Sequence, residues 1–169
     1  MKNWMKLMGV GILSCASLMV TCSAKAQTDA DKKFLAMAAQ GDQNEIALSK
    51  LAVDKATNPD VKAFAQKMVD EHQQMTASMK PFADKWGLSA PSGPDSSHQK
   101  EWDKLNGMSG TAFDKEYMSD MVTDHAKAYS AFTKEGEDTK DPEFKDAVLK
   151  GKTAVAAHKN MAYDLKKKL

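Results

Sequence analysis

PDVKAFAQKMVDEHQQMTASMKPFADKW, residues 59–86, is the stretch that decides the fold. Val61, Ala65, Met68, His72, Met75, Met79, Phe82 and Trp86 recur in alternating steps of four and three. That period lays one stripe along one face of a helix, and a strand would need a period of two. Pro59 suits a first helical turn and Gly87 a stop. Pro81 is expected to kink or loosen the last turn, because it lacks a backbone N–H and crowds the preceding turn.

The same period appears on both sides of this segment. A first helix is predicted from Thr28 or Asp29 to about Thr57, broken by Asn58-Pro59, with the stripe Phe34, Ala38, Gly41, Glu45, Leu48, Ala52. A third long helix is predicted from about Thr111 to Glu135. It carries Met118, Met121, His125, Ala128 and Phe132, widened by Phe113, Tyr117 and Tyr129. A fourth begins near Asp141-Pro142 and runs to the C-terminus with Phe144, Val148, Gly151, Val155, His158, Ala162 and Leu165. Residues 88–97 read as a loop, and a short helix is expected from about His98 to Leu105. Short turns near 56–59 and 136–140 make sequential long helices antiparallel neighbours. The expectation is an all-α fold: an antiparallel four-helix bundle with a short extra helix between helices two and three. Small stripe residues (Ala38, Gly41, Gly151) would let helices approach closely.

Each stripe contains one ionisable residue: Glu45, His72, His125 and His158. Counted from the turns at 56–59 and 137–141, the first three lie 12 or 13 residues deep, and His158 lies 17 deep. At about 1.5 Å per residue the last is ~7 Å lower, within reach of a shared layer if its helix is staggered. Three imidazoles and a carboxylate at one level suit a borderline divalent metal, and methionines beside them (Met68, Met75, Met118, Met121) would favour copper. Asp70, Glu71 and Asp124 are candidates to orient the imidazoles. The competing reading is a neutral polar layer that fixes helix register, with methionines as filler. His98 falls off the stripes and reads as solvated. Met68-Val69-Asp70-Glu71-His72 also resembles Met121-Val122-Thr123-Asp124-His125, a weak internal repeat at an offset of 53.

The first 26 residues are predicted to stand apart from this domain. Lys2 and Lys6 precede an apolar run from Leu7 to Val20, and Ala24-Lys25-Ala26 offers a small-x-small cleavage pattern. The expected division is a signal peptide at 1–26 and a bundle domain at 27–169, exported to the periplasm or associated with the outer membrane. Lipid attachment at Cys15 or Cys22 is the other reading of the same segment. These are the only cysteines in the chain, so a domain starting at Gln27 has no disulfide and no thiolate ligand.

Composition excludes several partner classes. The chain carries 24 Lys+Arg against 23 Asp+Glu, none of the cations is Arg, and the charges are interspersed. Nucleic-acid binding, which leans on Arg, is not expected. No transmembrane span is expected in the domain. Val69, Val122 and Val155 precede the three stripe histidines by three residues, so the Glu-x-x-His pattern of di-iron bundles is missing. No motif marks a catalytic nucleophile.

Phe34-Leu35-Ala36-Met37-Ala38-Ala39-Gln40-Gly41 with Glu45 and Leu48 resembles the first-helix signature of an exported bacterial family. These proteins carry a domain of unknown function, are often labelled outer membrane proteins and are grouped with the ferritin-like superfamily. Phe113-Asp114, Tyr117-Met118, Asp124-His125, and His158 with Ala162 match later positions, and the similarity covers about residues 28–166. The resemblance implies a ferritin-like bundle and an envelope location, and no defined activity. Two functions follow as expectations. One is a metal-binding envelope bundle using Glu45, His72, His125 and His158, with a divalent metal ion or copper as cofactor. The other is a non-enzymatic structural, stress-related or interaction protein without metal. An enzyme has the least support, and no protein partner is marked.

Overall fold

The computed structural model describes residues 27–169. The expected signal segment, 1–26, and both cysteines lie outside the described residues. Five helices follow: α1 (Asp29–Lys55), α2 (Pro59–Trp86), α3 (Ser96–Asn106), α4 (Gly110–Asp138) and α5 (Pro142–Lys166). They form an antiparallel four-helix bundle, with α3 as the short extra helix. α1 pairs with α2 and α4 with α5, while α1 faces α4 and α2 faces α5 across the bundle.

Helix starts are written into the local sequence. Thr28 and Asp31 form a reciprocal capping box, each side chain taking the other's backbone N–H. Asn58 accepts from the N–H groups of Asp60 and Val61, with Pro59 in the first turn. Asp95 and Asp141 do the same for α3 and α5. Gly87 ends α2 with φ +70, a left-handed position that favours glycine. α2 continues through Pro81 to Trp86. Pro81 and Ala77 both sit on the exposed face, so the Ala77 carbonyl that Pro81 cannot bond still meets water.

The core is two apolar clusters rather than one. Leu48, Phe64, Met68, Leu105, Phe113, Tyr117, Met118 and Met121 build the first. Phe34, Leu35, Met79, Trp86, Phe132, Phe144, Val148 and Val155 build the second. On every long helix the break between them falls at the ionisable stripe residue: Glu45, His72, His125 or His158. The hairpins are tied together at one end by Asp114 of α4. Its carboxylate accepts from the Thr57 N–H (3.1 Å), the Thr57 hydroxyl (2.7 Å) and the Asn58 N–H (2.9 Å) in the α1–α2 turn.

The small stripe residues divide in role. At Gly151 a Cβ would stand 2.4 Å from Cε1 of Phe132, whose ring packs edge-on against Phe34 with centroids 4.9 Å apart. Gly41 has nothing within 4 Å of its Cβ position and borders a cavity instead of a neighbouring helix. Gly151→Ala is therefore expected to lower unfolding stability by about 1–3 kcal/mol, the usual cost of overpacking. Gly41→Ala should not, since an added methyl meets no neighbour and alanine favours the helix. Urea denaturation of the two variants checks the contrast.

Candidate metal centre

His72 on α2, His125 on α4 and His158 on α5 converge at the break in the core. Their ring centroids are 5.2–5.5 Å apart, and one nitrogen from each lies within 4.8 Å of the others. All three are buried. α5 is thus offset along the bundle enough to bring the deeper His158 level with its partners.

Hydrogen bonds settle which nitrogen of each ring faces inward. His125 Nδ1 lies 2.8 Å from the Met121 carbonyl, which can only accept, so Nδ1 carries the hydrogen. His72 Nδ1 donates to Asp42 Oδ1 at 2.9 Å, and His158 Nε2 donates to Glu71 Oε2 at 2.6 Å. In the neutral rings this leaves lone pairs on His72 Nε2, His125 Nε2 and His158 Nδ1. His158 Nδ1 is buried without a partner. His72 Nε2 and His125 Nε2 face one another at 3.4 Å with no proton assigned to either. Two lone pairs in that position repel unless a cation or an extra proton stands between them. Tetrahedral ligand nitrogens, each about 2.0–2.1 Å from a zinc-like ion, stand roughly 3.3 Å apart. The residues present therefore fit a metal. Three imidazoles would hold it, each oriented by an oxygen acceptor on its far nitrogen.

Glu45 stands differently. Its Oε1 is 3.9 Å from His125 Nδ1, on the far side of that ring from the lone pair, and its Oε2 is buried without a partner. Burial pushes its carboxyl up to about 7. Burial also lowers His125, and lowers His158 to about 4, against the pull of Glu71. Of the three carboxylates expected to orient the imidazoles, only Glu71 does so. Asp70 takes a hydrogen bond from exposed Gln66, and Asp124 faces His98 and Lys127. Asp42, which holds His72 and also accepts from Thr76 at 3.0 Å, escaped the sequence reading. The available signal was its position three residues before Glu45, on the same helical face.

His98 is not solvated as expected. Asn44 of α1 donates to Asp95 Oδ2 and accepts from the Asp95 N–H, both at 2.9 Å, and Gln40 donates to the Gly93 carbonyl at 2.9 Å. These bonds fasten the 88–95 loop and the start of α3 to α1, which swings His98 inward. Its Nδ1 lies 3.0 Å from both Asp95 oxygens, and its Nε2 faces Asp124 Oδ2 at 3.7 Å and Glu101 Oε2 at 3.8 Å. The Asp124 carboxylate first, with Asp95 and Glu101 adding, raises His98 to about 9. A cavity of about 330 Å³ is lined both by this group (Asp95, His98, Asp124) and by the core residues Glu45, His72 and His125.

The family model described as "Domain of unknown function (DUF4142)" matches residues 17–165. The chain belongs to the DUF4142 family. Its fold recurs in a DUF305 fragment from Deinococcus radiodurans, at TM-score 0.73 and 12% identity over 84% of this chain and 98% of that one. It recurs in CopM in the Cu(II)-bound form, at TM-score 0.69 and 20% identity over 82% and 96%. A DUF305 protein from Streptomyces coelicolor gives 0.69 and 17% over 80% and 89%. Curated proteins give no match. At these identities the likeness shows the fold alone. Among the described residues of this DUF4142 chain, no helix is long and apolar enough to cross a membrane.

The buried groups give the metal-free domain an opposed pH dependence. His158 has a folded value below its unfolded 6.5, so stability is lost as pH falls from about 6.5 towards 4. Glu45 has a folded value above its unfolded 4.5, so stability is lost as pH rises from about 4.5 to 7. In the wild type these trends offset one another. Relative to the wild type, Glu45→Gln should lose more stability on acidification and His158→Gln less. Each difference is on the order of 3 kcal/mol. Denaturation midpoints of both variants between pH 4 and 8 check the signs.

Proposed function

We propose that this DUF4142 chain is an exported metal-binding protein that holds one transition-metal ion, copper by preference, through His72, His125 and His158. In this reading residues 1–26 direct export and 27–169 work in the bacterial envelope.

The observation that carries the proposal is the pair of facing nitrogens, His72 Nε2 and His125 Nε2 at 3.4 Å, whose hydrogens are committed elsewhere. A shared extra proton would also relieve the conflict, but burial disfavours a charged imidazolium at His125 and His158. Three neutral imidazoles without a thiolate suit copper or zinc. Met75 lines the same cavity and brings a thioether near the rings, which tilts the choice towards copper(I). CopM, which shares the fold, has been captured in Cu(II)-, Cu(I)- and Ag-bound forms. That neighbour supports the metal class. The three-imidazole assignment rests on this chain's own geometry.

Glu45 is a neighbour of the ion here rather than a ligand, since it approaches His125 from the side that bears the hydrogen. The centre is suited to binding and handing on an ion. The reading includes no catalysis.

Anaerobic titration with copper(I), and separately with zinc(II), followed by elemental analysis tests the reading. Relative to the wild type, one equivalent should be lost in His72→Ala and in His125→Ala. Asp42→Asn, which keeps the shape but weakens the acceptor on His72, should lower affinity about 10–100-fold. Copper and zinc stoichiometries unchanged by both His→Ala substitutions would sink the proposal and leave the layer as a packing device.

A further inference from the structure

A second group of donors sits outside the core triad: His98 and Glu101 on α3 and Asp124 on α4, each half-buried. Its construction repeats the logic of the inner centre. Asp95 takes the His98 Nδ1 hydrogen, which turns Nε2 towards two carboxylate oxygens. Those oxygens stand 3.7 and 3.8 Å from Nε2, beyond hydrogen-bond length and within the spacing of donors around one ion. Lys127 occupies Asp124 Oδ1 at 2.8 Å and leaves Oδ2 turned to His98.

The His98 imidazolium faces both carboxylates, yet no hydrogen bond closes on Glu101 Oε2, so an ion would enter this group by displacing the His98 Nε2 proton. Glu101 Oε2 is buried with no hydrogen-bond partner, and so is Asp120 Oδ2 one turn before Asp124. The cations nearby are largely committed: Lys104 pairs with Glu116 and Lys127 with Asp124. A third orphan oxygen belongs to Glu45, which is only 7% exposed and lines the cavity shared by both groups. Glu45 lies within electrostatic reach of His72 on one side and of Asp124 and His98 on the other. Unpartnered carboxylate oxygens thus accompany the outer group, and that of Glu45 belongs to a residue lining the cavity shared with the core, where a cation would be stabilised.

We propose that His98, Glu101 and Asp124 form a second metal site beside the cavity that His98 and Asp124 line, for a divalent cation that accepts mixed nitrogen and oxygen donors. Two carboxylates and one imidazole make it a harder site than the core triad, suited to zinc(II) or copper(II). Its position makes it a loading station for the core. That role rests on the triad reading, whereas binding at the outer site does not.

Zinc(II) titration of the full chain, with bound metal counted after equilibrium dialysis, tests the proposal. The wild type should hold two equivalents. Glu101→Gln, which preserves shape, and the pair His98→Ala with Asp124→Asn should each hold one, with the core ion retained. His125→Ala should retain the outer ion and lose the inner one. A stopped-flow measurement should then show the core filling more slowly in Glu101→Gln. Outer variants that bind as much zinc, as tightly, as the wild type overturn the outer site. If metal is lost in His125→Ala alone, only the core reading survives. If it is lost in the outer variants alone, only the outer site survives. Equal core-filling rates with the outer ion gone would overturn the loading role.

Discussion

A polar layer across the middle of a helical core is the constraint on which the rest of this structure depends. Three imidazoles and two carboxylates are withdrawn from water at one level, and each must find a partner there or raise the free energy of the fold. Four helices contribute, so none can slide or rotate without breaking the layer. The apolar core is split into two clusters as a result, one of them rich in methionine and aromatic residues and the other almost wholly aromatic and aliphatic. Packing within each cluster sets how tightly the helices approach. The layer sets where along their length they meet.

Direction matters within the layer as much as proximity. Asp42, the Met121 carbonyl and Glu71 each take one ring hydrogen, and so they decide the face that each imidazole presents to the centre. The same device reappears at His98 through Asp95. An acceptor behind each ring sets which nitrogen faces inward and fixes the ring plane, which would lower the reorganisation needed if an ion binds. The metal-free fold bears the cost as buried, unpartnered atoms: His158 Nδ1 and Glu45 Oε2.

The bundle and the meeting of the histidines were legible because both follow from a constant rise and a constant period. Stripes at steps of four and three identify the buried face, and counting residues from a turn measures depth. Helix starts were legible for the same local reason, since Thr28, Asn58-Pro59 and Asp141-Pro142 cap within a few residues. What lay hidden was nonlocal or directional. The partnership of Asp42 with His72 becomes visible only when α2 is laid against α1. His98 reads as a solvated residue until Gln40 and Asn44 hold the preceding segment against α1 across more than 50 positions. Glu45 occupies the expected level but meets the wrong side of a ring, and a helical wheel carries no information about that.

The Asp114 tie has a further consequence. It pins the start of α4 to the turn that begins α2, and His72 and His125 are then carried to their meeting point by uninterrupted helix. Adding or deleting one residue between Asp114 and His125 would advance that ring by about 1.5 Å and turn it by roughly 100°. Some intervening residues face outward, while Tyr117, Met118 and Met121 are buried in the core. In length they have no freedom, because this stretch of α4 serves as a gauge rod between a fixed anchor and the centre.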